Sequence, residues 1–286
     1  MNASPRVFVL GASGMIGRNL TAANPDWIKI DFDQPHVMDL ASYDVAARLP
    51  DYFRSGDRVV FCAAISKPNI CENEPGLCWR VNVASTGALI ERMLDRGVRV
   101  IFFSSDLVFD GSGDSYGEED AHAPVGVYGK TKSAIEQRFW GEAHFKVARL
   151  SYVLSTTDAF SSQLIDHART GQHFSVFDPL LRSVVYVGDL VVCIENLVAS
   201  FDDIHYGIIN CGGPTLASRK DMVDAFLRAS GRSIPMSFVR PGPEFYKLRP
   251  ERINLRTERF NEVLGRPPKS LDEAYTAILG NLSKLA

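Results

Sequence analysis

Arg6-Val-Phe-Val-Leu10, followed at once by Gly11-Ala-Ser-Gly14-Met-Ile-Gly17, is the stretch whose reading decides the fold. An unbroken apolar run this short reads as a strand buried on both faces. The glycines sit where a strand turns sharply into a helix, here expected over residues 15–23. Glycine there allows the tight turn, lets backbone N–H groups reach a pyrophosphate, and lets helix and strand pack closely. The spacing alone is a weak signal, but Asp31 strengthens it, because it lies 20 residues beyond Gly11. At that distance a carboxylate can hold an adenosine ribose. Ser13, Met15 and Ile16 complete the candidate dinucleotide loop, and Asp39-Leu40 has the placement for adenine recognition.

Outward from the loop, strands and helices alternate. Strands are expected over 27–31, 58–64, 98–104 and 146–152, and helices over 45–53, 77–96 and 128–142. In the longest of these helices Leu77, Val81, Ala84, Ala88, Leu89 and Met93 recur at helical intervals, and Gly97 stops it. Such alternation, with near-continuous apolar strands, predicts an α/β fold, a Rossmann-type doubly wound parallel sheet. The rhythm breaks near Ser155. A helix opens again within Val184-Val-Tyr-Val-Gly-Asp189, residues 207–211 read as one more strand, and the stretch from Pro214 reads as helical and polar. The expected organisation is a dinucleotide-binding unit over 1–154 plus about 184–212. A smaller mixed substrate-binding lobe would take about 155–183 and 213–286.

Composition narrows the function classes. With 286 residues, 45% hydrophobic and 23% charged, the chain has the make-up of a soluble globular enzyme. A net charge of −3 offers no field for nucleic acid or an anionic membrane. No apolar stretch is long enough for a membrane span and no signal-peptide pattern opens the chain, so a cytoplasmic protein is expected. Cys62, Cys71, Cys78, Cys193 and Cys211 are scattered without metal-ligand spacing; they read as reduced thiols, and no metal is expected.

Tyr128 and Lys132 stand four apart in Val-Tyr-Gly-Lys-Thr-Lys-Ser, and on a helix they share a face. A neighbouring ammonium favours the phenolate, which predicts a phenol brought down toward neutrality and able to act as a general acid or base. Ser105 ends a strand at the sheet's C-terminal edge, where open α/β sheets bind ligands and a hydroxyl can bond a reacting carbonyl oxygen. Asp31 repels a 2′-phosphate, which favours NAD(H) over NADP(H), although Arg18, Lys29 and His36 are near enough in sequence to cradle one. Eight basic residues (Arg240, Lys247, Arg249, Arg252, Arg256, Arg259, Arg266, Lys269) against four acids (Glu244, Glu251, Glu258, Glu262) would suit a diphosphate. Most of them read as solvated helix faces. Arg249 and, outside that stretch, Arg182 are the two assigned to ligand contact.

Taken together these motifs resemble the extended short-chain dehydrogenase/reductase family, over nearly the whole chain. The similarity is carried by the glycine loop, Cys62-Ala-Ala-Ile65, Glu74-Pro75 with Val81-Asn82, Ser104-Ser-Asp-Leu-Val-Phe-Asp-Gly111, Tyr128-Gly-Lys-Thr-Lys132, Arg149-Leu-Ser-Tyr-Val and Arg249-Pro250. The resemblance implies that Tyr128 is the proton donor and that Ser105 binds the substrate carbonyl. It implies that Lys132 binds the nicotinamide ribose and tunes the tyrosine, that Ala63, Ala64 and Ile65 pass under the cofactor, and that Ser104 and Ser151 lie near the nicotinamide. Asp106 and Leu107 fall beside the substrate; Leu107 stands where sugar-nucleotide reductases of this kind commonly carry tyrosine, making the pocket more apolar. The implied reaction is reduction of a keto group on a nucleotide-linked sugar, in a protein that forms a homodimer. Two rivals are an NAD-dependent epimerase using the same trio and a non-catalytic NAD(P)-binding regulatory subunit.

Overall fold

A computed structural model describes residues 5–31 and 49–283. Its centre is a six-stranded sheet of β1 (Val7–Leu10), β2 (Ile28–Ile30), β3 (Arg58–Phe61), β4 (Arg99–Ser105), β5 (Phe145–Leu150) and β10 (Ile208–Cys211), in the order β10-β5-β4-β3-β1-β2. Every pairing is parallel. Leu10 is in register with Ile30 on one side and Phe61 on the other. The chain therefore reverses its direction of winding at β1, and such a switch point opens a crevice at the strands' C-terminal ends.

The period-two geometry of a strand sorts the apolar residues onto two faces. Val9, Val60, Ile101, Phe103, Ala148 and Ile209 share one core with Leu20, Leu190, Ile194 and Phe260 from helices Met15–Ala23, Val187–Ala199 and Glu258–Leu264. Phe8, Leu10, Val59, Phe61, Val100 and Phe102 share the other with Leu89, Ile90 and Met93 of helix Thr86–Asp95 and Ile135 of helix Val127–Arg138. Both faces are covered, as a parallel sheet requires. The doubly wound fold expected from the sequence is the fold found.

A smaller set of sheets lies beyond. β8 (Leu181–Ser183) pairs antiparallel with β11 (Leu216–Ala217) and parallel with β13 (Arg252–Ile253). β7 (Phe174–Phe177) pairs with β12 (Met236–Val239), and β6 (Val153–Leu154) with β9 (Val185–Tyr186). The stretch from Pro214 is thus mixed, not simply helical as expected. Its strands are two to four residues long, too short for a period to show. Leu164, Phe174, Val176, Phe226 and Tyr275 form a separate core for these elements.

Two other expectations are modified. Residues 77–96 begin their helix earlier, at Pro75, and pass through a π-helical stretch, Arg80–Ser85, before resuming as Thr86–Asp95. Of the helix expected over 45–53, Leu49–Tyr52 is a 3-10 turn and the first residues lie outside the described ones. Among the described residues, no helix is long and apolar enough to cross a membrane.

Candidate active site

The glycine loop closes on the sheet with no room for side chains. Gly11 has φ +84°, and a Cβ there would stand 2.7 Å from the Ala63 nitrogen. A Cβ on Gly17 would stand 2.3 Å from the Gly11 carbonyl oxygen. Gly14 caps helix Met15–Ala23 without a side-chain bond, and no acid occupies the first turn. The first turn of that helix, with the positive end of its dipole, therefore lines the crevice. Asp31 Oδ1 accepts from the Ser13 backbone N–H at 2.5 Å, which ties the acid to the loop. Arg18 Nε donates to the Ser13 carbonyl, bringing a cation to the same loop.

A cavity of about 620 Å³ runs along this loop, a size usual for ligand sites. Gly11, Ser13, Gly14, Met15, Ile16 and Gly17 form one wall. Ala63, Ala64 and Ile65 form the floor, and Ser104, Tyr128 and Lys132 close the far end. The structure thus gathers twelve of the sixteen residues assigned from sequence to the cofactor around one cavity. Asp31 joins through Ser13. Ser151 is turned elsewhere, and Asp39, Leu40 and His36 lie outside the described residues.

The floor is held by a residue that was named in a sequence motif without being given a role. Asn82, buried in the π-helical stretch, accepts from the Ile65 N–H at 2.9 Å and donates to the Ile65 carbonyl at 3.0 Å. One amide side chain satisfies both backbone groups of a loop residue under the cavity. π-Helical insertions are common at such places.

Tyr128 and Lys132 lie on helix Val127–Arg138, with Lys132 Nζ 5.8 Å from the Tyr128 ring centroid. Lys132 is buried, donates to the Phe103 carbonyl at 2.7 Å, and sits 4.5 Å from the Phe102 ring centroid. Burial pulls its pKa down to about 8, against the opposing pull of Cys62, Glu136 and Cys71. The phenol departs from expectation. Burial pushes the Tyr128 hydroxyl above the ordinary phenol range, and Cys71 and Asp106 push it further. The lowering by Lys132 expected from the sequence is not among the influences on this phenol, whose shift is upward.

Ser105 caps the 3-10 turn Asp106–Val108; its Oγ accepts from Leu107 N at 3.2 Å and donates to Asp106 Oδ1 at 3.3 Å. Ser151 Oγ donates to Asp106 Oδ2 at 3.0 Å, and Arg182 Nε lies 3.4 Å from the same oxygen. Asp106 is thus the hub that joins Ser105, Ser151 and Arg182. Burial raises the pKa of Asp106 and lowers that of Arg182, while the opposite charge of each works against the shift of the other. Leu107 packs against Val108, Phe109, Tyr116, Ile253 and Leu255. Its carbonyl oxygen would be 2.1 Å from a Cβ on Gly129, so the turn after β4 lies directly against the Tyr128 helix.

Ser104 lines the cavity but gives its hydroxyl proton to Glu136. Glu136 and Arg149, both fully buried, pair at 2.7 Å, and Arg149 also reaches the Glu118 carbonyl and His122. Hydrogen bonds and ion pairing hold the Glu136 carboxyl below its usual range despite burial. Of the C-terminal bases, Arg240, Lys247, Arg252, Arg256, Arg259 and Arg266 all make ion pairs with acids. Arg249 instead donates to the Asn69 side chain at 2.7 Å. The charges of Arg219 and Arg249 both act to lower the pKa of Arg182. Sequence reading missed Arg219; its guanidinium stacks 4.2 Å from the Tyr152 ring centroid.

Residues 5–283 match the family model described as RmlD substrate binding domain. The chain is 34% identical over 138 residues to methionine adenosyltransferase 2 subunit beta of Pongo abelii, a match covering 44% of this chain and 40% of that protein. It is 29% identical to the dTDP-4-dehydrorhamnose reductase of Mycolicibacterium smegmatis, covering 79% of this chain and 69% of that one. In fold it is similar to the dTDP-4-dehydrorhamnose reductase of Bacillus anthracis solved in complex with NADP, with a TM-score of 0.83, 23% identity, and coverage of 97% and 99%. A parallel sheet reversed at β1, a glycine loop over its crevice and a Tyr128–Lys132 helix at the crevice's far end are what that match spans, and the chain belongs to the RmlD substrate binding domain family, in the dTDP-4-dehydrorhamnose reductase-like branch of the extended short-chain dehydrogenases/reductases.

Proposed function

We propose that the protein is an NAD(P)H-dependent reductase of a keto group on a nucleotide-linked sugar. The observation that carries this reading is the placement of Tyr128 at the end of the glycine-loop cavity, with Lys132 one turn on along the same helix and Ser105 at the end of β4. Its mycobacterial relative named dTDP-4-dehydrorhamnose reductase supports the substrate class.

The glycine cradle, which a Cβ at Gly11 or Gly17 would fill, fits a dinucleotide pyrophosphate. When bound, the reduced nicotinamide supplies a hydride. Tyr128 then gives its phenolic proton to the carbonyl oxygen as negative charge develops there, and a C=O becomes a CH–OH. Burial keeps Tyr128 in its phenol form, and giving up the proton requires that the positive charge of Lys132 bring its acidity back toward the working pH. Ser105 orients the same oxygen, its long bond to Asp106 being readily exchanged for one to the substrate. The Lys132 ammonium stabilises the phenolate left behind. Asp31, bonded to the loop at Ser13, disfavours a 2′-phosphate, so NADH is the preferred reductant. Arg182, Arg219 and Arg249 match the charge of a sugar-nucleotide diphosphate. In this arrangement the six-stranded part binds the dinucleotide and the elements around β8, β11 and β13 bind the sugar nucleotide.

A second reading is a subunit that holds a dinucleotide without turning it over; the 34% identity to methionine adenosyltransferase 2 subunit beta favours it. A screen of dTDP-, UDP- and GDP-linked 4-keto sugars with NADH and NADPH, followed by absorbance loss, separates the two. The reductase reading expects stoichiometric consumption with one nucleotide class. Binding of NADH without consumption across the panel supports the second reading.

A further inference from the structure

Helix Val127–Arg138 begins without a cap of its own. Gly126 at its N-cap has no side chain, and no acid occupies its first turn. Its first N–H groups need partners, since the opening turn of a helix leaves its donors unsatisfied. The partner for Val127 comes from elsewhere. Glu72, on the six-residue helix Pro68–Asn73, accepts from Val127 N through Oε1 at 2.5 Å, across 55 residues of sequence. Val127 immediately precedes Tyr128.

The same short helix is fixed on its other sides. Asn69 takes the Arg249 guanidinium, and the buried Cys71 thiol donates to the Ile65 carbonyl at 3.4 Å. Glu72 therefore acts from a braced element. Gly126 is in an extended conformation, φ −104° and ψ 163°, which any residue adopts at an N-cap. A Cβ there would lie 3.1 Å from Glu72 Oε1, so the carboxylate occupies the space that a capping side chain would need.

We propose that Glu72 is a positioning residue for the reaction: it caps the Tyr128 helix from outside and fixes the first turn, and with it the place of the phenol. It touches neither substrate nor reacting atom in this role. The inference rests on the reductase reading, in which Tyr128 donates the proton.

The test compares Glu72→Ala, Glu72→Gln and the double variant Glu72→Ala/Gly126→Ser. In Glu72→Ala the Val127 amide exchanges about tenfold faster, because its acceptor is gone. Its kcat falls about tenfold while KM for NADH stays within about twofold. Glu72→Gln, which keeps an accepting oxygen, recovers kcat to within about threefold of the parent. The double variant recovers it similarly, since a serine at position 126 caps the helix from its own chain and no longer meets the carboxylate. In a Tyr128→Phe background Glu72→Ala costs nothing further, as expected of two residues acting through one phenol. Parental kcat in Glu72→Ala, no recovery with serine at 126, or an equal loss in the Tyr128→Phe background overturns the proposal. Should Glu72→Ala fail to fold, exchange in the parent protein decides: an unprotected Val127 amide overturns it. Tyr128→Phe with undiminished turnover removes the reductase reading itself, and exchange at Val127 still reports on the cap.

Discussion

Lys132 carries the charge that most directly sets the site's pH behaviour. Its ammonium is buried against the Phe102 ring and the Phe103 carbonyl, and burial brings its pKa down to about 8. Tyr128, raised by the same burial, stays a phenol throughout that range. The group that titrates near pH 8 is therefore the lysine, charged below and neutral above. If the ammonium stabilises the phenolate that forms, kcat/KM falls as pH rises through about 8. Lys132→Arg, whose guanidinium remains charged, should remove that basic limb even where it lowers the plateau. A pH–rate profile checks this, and an unmoved limb assigns it to another group. Stability runs the opposite way, rising with pH. A lysine whose folded pKa is depressed costs the fold nothing at pH above its unfolded value, and the cost grows as pH falls through the window down to about 8.

At the level of elements, the sheet was legible because most of its strands are buried and read as unbroken apolar runs; β12 is half exposed and β11 and β13 are only two residues long, so they show no such run. The π-helical stretch was hidden for a different reason. Leu77, Val81, Ala84 and Ala88 fit an ordinary helix, and the insertion accompanies a tertiary contact, Asn82 to Ile65, that no local pattern carries. The glycine loop, Tyr128, Lys132 and Ser105 were legible because their spacing is local. Glu72, Arg219 and the Glu136–Arg149 pair were not assigned roles, because their partners lie 13 to 55 residues away or in another lobe. That last pair also yields a prediction. It fastens the Tyr128 helix to β5 with both side chains fully buried, so Arg149→Met leaves a carboxylate without its cation. The expected loss is about 3–5 kcal/mol of unfolding free energy, read by urea denaturation. A loss below about 1 kcal/mol would mean that Glu136 is accommodated by Ser104 and His122 alone.

For the molecule as a whole, the smaller sheets are tied to the C-terminal edge of the large one by guanidinium contacts. Arg182 on β8 meets Asp106 after β4, Arg249 meets Asn69, and Arg252, Arg256 and Arg259 meet Asp114, Asp120 and Glu119. Among the described residues, Arg249 alone of these five meets an uncharged amide side chain where the others meet carboxylates, which leaves its charge available to an anionic ligand. Arg249→Ala should raise KM for the sugar nucleotide about tenfold, with KM for NADH within about twofold. Equal increases in both constants would make Arg249 a brace between lobes only. The whole account depends on one proton. Steady-state turnover and NADH affinity of Tyr128→Phe, measured on the same preparation, test it most directly. The account predicts turnover lower by about 10²–10⁴-fold with NADH affinity changed less than about threefold. Turnover equal to that of the parent protein would contradict it.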